Sequence, residues 1–294
     1  MKKTLILFLL IFSSSFAVYS EIKISGTVEW ETMRLDALVT LDLTSAGIKL
    51  PAGRTQAESL LSENYLNLIR PFILKLQADS SSTIGDYIER GEFTLLQADT
   101  VALGAASVPP AMQPDLRGMS ASHTILFSNL CSSLFRHNRP SPIIRTLNPV
   151  SSASYTGIII IAAEELPIHG MRGAALPIPC LFPRIWDSEM NLIYERNTLE
   201  ARNATMAQYS SSQNIFQNNP TGLTQELRQI VGDRPLRIFA RGVFGINPTD
   251  LIIDRSDALT IISSEENRKL LSQGKVVIIL DDSVLRYEFT GKGL

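Results

Sequence analysis

Few residues in this chain could do covalent or metal chemistry. It holds three histidines, His123, His137 and His169, and two cysteines, Cys131 and Cys180. No H-E-x-x-H pair holds two histidines one helical turn apart. No C-x-x-C serves redox or zinc, and no G-x-S-x-G turn would expose a nucleophilic serine. His123 falls at the start of a predicted helix and His137 near its end, where a cation suits the helix dipole. His169 sits close in sequence to Glu164 and Glu165, which admits a Glu/His site; a loop histidine satisfied by backbone is the competing reading. A Cys131–Cys180 bridge would close a loop of about 50 residues, worth roughly 4 kcal/mol. Two separate buried thiols are the alternative, favoured because Cys131 lies on the apolar stripe of its predicted helix. The run Ala240–Gly245 has two glycines but lacks the third of a dinucleotide fingerprint, and reads as bends or close-packing positions in a strand. Asp281 and Asp282 form a solvated turn, short of the oxygen ligands calcium needs. The expectation is therefore no enzyme, no catalytic or metal-ligating residue and no cofactor.

What the sequence offers instead is a contact surface. Leu166–Pro183 carries four prolines and two glycines, and a proline-stiffened loop loses little freedom on binding. His169, Arg172 and Phe182 in this loop, with Trp186 just beyond it, are the candidate binding residues, Trp being favoured at contact centres. Trp186 as a core residue under a loop lid is the open alternative.

These residues need a frame. Ile22–Trp30 and Leu35–Leu43 alternate apolar and polar with period two, predicting a hairpin of half-buried strands. Apolar residues then recur at three and four from Ala57 to Leu76, predicting a long amphipathic helix with a kink at Pro71 or a stop near Arg70. Ser82–Ile88 opens a short helix. Ala102–Arg117, with three prolines, predicts a loop, and Ser122–Phe135 a helix. Arg139–Ser152 is a Pro-rich connection and the candidate domain boundary. Gly157–Ala163 is β-branched on both faces, as in a central strand. Arg184–Tyr194 predicts two strands about a turn at Asp187–Glu189. The polar stretch 197–221 reads as a mobile insertion. Leu236–Gly245 predicts a strand, Ser256–Leu271 one helix capped by Ser256 and closed by Gly274, and Val276–Leu280 a final apolar strand. The expected fold is α+β: mixed or antiparallel curled sheets with helices packed on one face, in two intertwined halves, 21–150 and 151–294.

The start of the chain carries an address. Lys2 and Lys3 precede an apolar run over 4–12 and then small residues, the pattern of a secretory signal peptide over 1–20. Cleavage would follow Ala17 or Ser20, and the run is too short to span a bilayer. Neither cysteine is near that exit, so lipid modification is not expected. Hydrophobic residues make up 45% and charged residues 19% of the 294, enough for a sizeable core. The formal charge of −2 becomes −4 once Lys2 and Lys3 leave. With no basic cluster interleaved by aromatics, nucleic acid is not an expected partner.

Three blocks carry a family resemblance: the strand from Tyr155 to Ala163, the segment Leu181–Tyr194, and the run Phe239–Gly245 continued by Thr249–Ile262. In that order, with the helix that begins at Arg54, they resemble the FlgP-type (LPP-twenty-like) small-lipoprotein family of bacterial envelope proteins, above all its long spirochaete-type members. The chain departs from that family in lacking a lipid-bearing cysteine after the signal and in carrying Ala162 and Ala163 where an acid is common. The resemblance implies a small α+β module with a helix on a curled sheet. It implies association with the outer envelope or the motility apparatus, and no catalytic residues. The sequence thus predicts a periplasmic, non-catalytic structural or assembly component of the envelope or flagellum. Its partners would be envelope proteins or further copies of itself, with any outer-membrane association peripheral and through protein. A module binding lipid or peptidoglycan fragments is the alternative.

Overall fold

The computed structural model describes residues 22–135, 137, 139–200 and 207–292. The expected signal peptide and both its cleavage positions lie outside the described residues.

The N-terminal half begins with the predicted hairpin, β1 (Ile22–Glu29) and β2 (Arg34–Asp42). Helix α1 (Arg54–Leu74) follows, then the short hairpin β3 (Gln77–Asp79) and β4 (Ser82–Thr83). Helices α2 (Ile84–Glu89) and α3 (Leu95–Leu103) each start on a capping box, from Thr83 and Thr94. Strands β5 (Ala106–Met112) and β6 (Gly118–Leu126) and helix α4 (Phe127–Leu134) complete the half.

The C-terminal half contains β7 (Ile158–Ile161), β8 (Leu166–Pro167), β9 (Ala174–Ala175), β10 (Ile185–Asp187), β11 (Leu192–Tyr194) and β12 (Gln208–Ser211). It continues with α5 (Gln225–Val231), β13 (Leu236–Phe239), β14 (Gly242–Phe244) and β15 (Asp250–Ile253). Helices α6 (Arg255–Ile262) and α7 (Glu265–Ser272), strand β16 (Val276–Leu280), helix α8 (Asp282–Leu285) and strand β17 (Arg286–Lys292) end it.

The fold is α+β, in two domains built on different sheets. The first is antiparallel, in the order β17-β1-β2-β6-β5. Its residues alternate: Ile22, Ile24 and Val28 are buried while Lys23, Ser25 and Thr27 are not. Helix α1 covers the apolar face, where Tyr65 stacks on His123 with ring centroids 3.7 Å apart and Phe72 stacks on Phe289 at 4.2 Å. The second sheet is parallel, in the order β12-β16-β7-β13. Its central strand β16 is buried at all five positions, and Ile158, Ile159 and Ile160 of β7 are fully buried. Both faces are covered, which is why these strands read as continuous apolar runs. Ile158, Ile160, Val276 and Ile278 belong to the main core with Ala258, Ile261 and Leu271 of α6 and α7. Ile159, Val277 and Ile279 pack against Leu227 and Val231 of α5. A third, mixed sheet runs β11-β10-β15-β14.

The halves are tied together. Strand β17, from the range expected to form the second half, pairs with β1 over its whole length. The amides of Leu181 and Phe182 donate to Gln77 O and Ala78 O at 3.0 and 2.8 Å, and Asn247 N donates to Ser80 O at 2.8 Å. Trp30 packs on Phe127 at 4.9 Å and on Tyr209, from the other half, at 5.8 Å.

Several local expectations are corrected. Ser122–Leu126 belongs to strand β6, and only the following eight residues are helical. His123 is therefore a strand residue facing α1 rather than a helix start, and burial pushes its pKa down. The predicted loop over 102–117 contains strand β5, whose Pro109 and Pro110 fall at a bulge on the sheet edge, where a missing amide costs no ladder bond. Helix α1 runs through Pro71 to Leu74. The expected single helix over 256–271 breaks between Ile262 and Glu265, where Ser264 caps α7, and Asp254 rather than Ser256 precedes α6. The polar stretch 197–221 holds β12, an edge strand of the parallel sheet; its residues 201–206 lie outside the described residues. Cys131 and Cys180 are unbridged and buried, and burial pushes the Cys131 thiol up to about 12.

Candidate functional site

The loop singled out in the sequence docks on the mixed sheet. Gly170 and Gly173, at φ +78° and +106°, bend 168–173 into a tight tip between β8 and β9, a backbone shape that favours glycine. Ile168 bridges to Val243, and the His169 amide donates to Val243 O at 2.8 Å. Gly242 allows the approach, since a Cβ there would lie 3.0 Å from Pro167 O.

This docking aligns three rings. His169 meets Phe244 at a centroid distance of 6.0 Å, and Phe244 meets Trp186 at 5.9 Å, both nearly edge-on. Such pairs add roughly 0.5–1.5 kcal/mol each to area burial. The register explains the row. Trp186 of β10 is level with Ile252 of β15 and Gly242 of β14, while Phe244 is level with Asp250. All therefore share one face of the sheet.

Asp250 fixes the row from below. It is fully buried, and its Oδ2 accepts from Trp186 Nε1 at 3.2 Å and from Ser80 Oγ at 3.0 Å, with Arg184 Nη1 at 3.9 Å. Its Oδ1 accepts from Thr249 Oγ1 at 3.3 Å and from Arg184 N at 3.4 Å. Burial raises its pKa, against the hydrogen bond from Trp186 and the charge of Arg184, which lower it. A carboxylate so surrounded by donors holds geometry and leaves no oxygen aimed at solvent. Ser80 belongs to the N-terminal half, so this one oxygen joins the ring row to the seam between the halves. Gly245, at φ +110°, makes the contact possible: a Cβ there would fall 2.4 Å from Ser80 Cβ.

The structure separates the four candidate residues. His169 and Trp186 lie on the ring row. Arg172 is exposed at the loop tip beside Met171, which is 64% exposed. Phe182 does not join them: it is 3% exposed and sits in the seam against Phe135 at 5.9 Å, under the Arg196 guanidinium at 5.4 Å. Glu164 and Glu165 are exposed. His137 contacts Leu199 O through Nε2 at 2.9 Å rather than a helix end. Reasoning from sequence missed Phe244, Asp250, Arg184 and Ser80. One signal was present: Asp250 is an acid opening the otherwise apolar strand β15.

The other buried carboxylates are also structural. Asp187 accepts from Glu189 N and Asn191 N at 3.0 and 2.8 Å and pairs with Arg255. Burial alone would raise its pKa, but the bonds from Asn191 and Arg255 outweigh that and hold it below the usual range. Asp79 accepts from the Tyr87 hydroxyl at 2.7 Å, and its pKa is likewise lowered against the effect of burial. Among the described residues no three His, Cys, Asp or Glu side chains gather as a metal site. No helix among them is long and apolar enough to cross a membrane.

Comparison with known proteins matches the two halves of the chain separately. A comparison with curated proteins found no match. Residues 21–133 match the family model described as Treponema pallidum Tp0624, N-terminal domain, and residues 157–282 match that described as Treponema pallidum Tp0624, second domain. The chain is thus similar, domain by domain and in the same order, to the N-terminal and second domains of a spirochaete protein, Tp0624.

Proposed function

We propose that this chain is a non-catalytic, exported component of the cell envelope that works by assembly with protein partners, through the surface built on the ring row. The observation that carries this reading is the row His169–Phe244–Trp186, pinned by a buried carboxylate, with Met171 and Arg172 exposed on the same loop two and three residues beyond His169. Ile246, 80% exposed, follows Phe244 by two residues. Rigid aromatic anchors ringed by exposed apolar side chains and a cation are what contact centres use. The address rests on residues 1–20 of the sequence, which read as a cleaved signal delivering the chain to the periplasm. Kinship with FlgP-type proteins, and with it a place near the flagellum, is the finer part of the proposal; the similarity to Tp0624 domains accords with a spirochaete-type member.

The test is a photo-cross-linking residue at position 172 or 246 in cells, with identification of the captured envelope protein. Capture is expected, and Trp186→Ala is expected to abolish it. Failure to capture any partner, together with a monomeric mass by light scattering, would refute the assembly role.

A further inference from the structure

The N-terminal sheet has a second face, which no helix among the described residues covers. Strand register lays it out in rungs. One rung is Glu288–Thr27–Asp36–Thr124, read across β17, β1, β2 and β6. The next is Thr290–Ser25–Leu38–Ser122, one pleat repeat or about 7 Å along the strands. Together they line a trough of about 540 Å³, within the range of ligand sites. We propose that this trough binds a linear, neutral oligosaccharide.

Chemistry and size select that occupant. The whole sheet face, with the two rungs at its centre, spans five strands by about seven residues, roughly 20 Å by 20 Å at the usual spacings. That is about 400 Å², half of what each partner buries in a stable protein complex, so a second copy of the chain fits poorly. The centre has no Trp, Tyr or Arg, the side chains that anchor protein contacts. An anion would meet Asp36 and Glu288. A small cation would find Asp36 already occupied, since its Oδ2 takes Arg34 Nε at 2.8 Å and its Oδ1 takes Thr124 Oγ1 at 2.6 Å. What remains is a set of hydroxyls: Thr290 and Ser25 about 4.8 Å apart on neighbouring strands, and Ser122, Thr27 and Thr124 set off from their rung partners by Leu38 or Asp36. Each of these hydroxyls can both donate and accept, save that of Thr124, whose proton goes to Asp36 and which can only accept. Glu288, exposed at the end of its rung, supplies a charged acceptor, and Leu38, 37% exposed, supplies a small apolar patch at the centre. A sugar chain offers the matching set: hydroxyls that donate and accept at its rim, and C–H faces for Leu38. This inference does not rest on the ring row.

The test titrates the full chain with linear tetramers of N-acetylglucosamine and, separately, of glucose, up to about 10 mM, reading backbone amide shifts. At least one tetramer is expected to bind, with shifts confined to β1, β2, β6 and β17. The double variant Thr27→Val/Ser122→Val keeps strand-forming residues on a solvent face; it is expected to keep the thermal midpoint and weaken binding about tenfold, or 1.4 kcal/mol. Binding by neither tetramer overturns the proposal, as does binding undiminished in the double variant. Loss of binding in Trp186→Ala with retention in the double variant would move the sugar site to the ring row. A change of mass in the double variant by light scattering would make the face an interface between copies, and would overturn the proposal too.

Discussion

The two sheets solve the same problem in opposite ways. The antiparallel sheet buries one face under α1 and leaves the other to water, so its strands alternate: β2 reads Leu35, Ala37, Val39 and Leu41 inward, with Asp36, Leu38 and Thr40 outward. The parallel sheet is covered on both faces, so β16 has no outward position and every residue is apolar. Polarity returns only at its edges, as Gln208 and Ser210 in β12 and Arg237 in β13. The difference teaches where variation can accumulate. A sheet with a free face can carry binding chemistry without touching the core, whereas the fully covered sheet can offer only its rims, and the ring row is built from a smaller sheet beside it.

Substitution at the centre of each sheet breaks the comparison most sharply. Ile278 lies between Tyr209 of β12 and Ile160 of β7 and is 1% exposed. Ile278→Asp buries a charge with no partner, a change expected to cost more than about 4 kcal/mol. Against a total stability of about 5–15 kcal/mol, the chain should fail to fold, read as loss of the urea transition.

The corresponding weak point of the antiparallel sheet is Gly26. A Cβ there would lie 2.2 Å from the Asp36 carbonyl oxygen and 2.4 Å from the Phe289 ring. The first of these is backbone and cannot step aside. Gly26→Val should therefore cost about 2–3 kcal/mol and loosen β17, read as faster amide exchange over 286–292 with the parallel sheet still protected.

Acid should separate the buried carboxylates by sign. Asp187 has a folded pKa below its unfolded value, so it contributes stability above the unfolded value, about 3.9, which is lost as pH falls through the folded value. Asp250 is shifted the other way; its contribution is greatest at low pH and fades as pH rises through its raised folded value. Asp187→Asn should thus flatten the acid limb of a stability profile and lower stability near neutrality. Asp250→Asn should leave that limb at least as steep. Urea midpoints from pH 3 to 7 check both.

Much of this architecture was legible in the sequence because it is written in side-chain period. The β1–β2 hairpin, α1, and the apolar strands β7 and β16 all follow from spacing alone. Strand β5 was obscured by Pro109 and Pro110, which argue against a strand until one knows it lies on an edge. Strand β12, with only Tyr209 as a large apolar residue, was hidden by polarity that its edge position explains. Strand β17 was missed because its inward residues, Tyr287, Phe289 and Gly291, include a glycine where Phe72 crosses. The site was half legible. Trp186 and His169 stood out by type, but their meeting at Phe244 depends on the docking of a loop on β14, and Ser80 reaches Asp250 across 170 residues of sequence. No local pattern encodes such contacts.

The smallest predicted effect tests whether the helix-free face is truly free. Leu38 is an apolar residue among hydroxyls, flanked by Ser25 on β1 and Ser122 on β6. If the face meets only water or a transient ligand, Leu38→Thr removes little buried area and keeps a good strand former, so stability should move by less than about 0.5 kcal/mol. The same substitution should weaken sugar binding if Leu38 provides the apolar patch. A loss of about 1 kcal/mol or more in urea, dependent on protein concentration, would mean that a second copy covers this face. The antiparallel sheet would then resemble the parallel one in having no free side, and the contrast between the two halves would fail at that point.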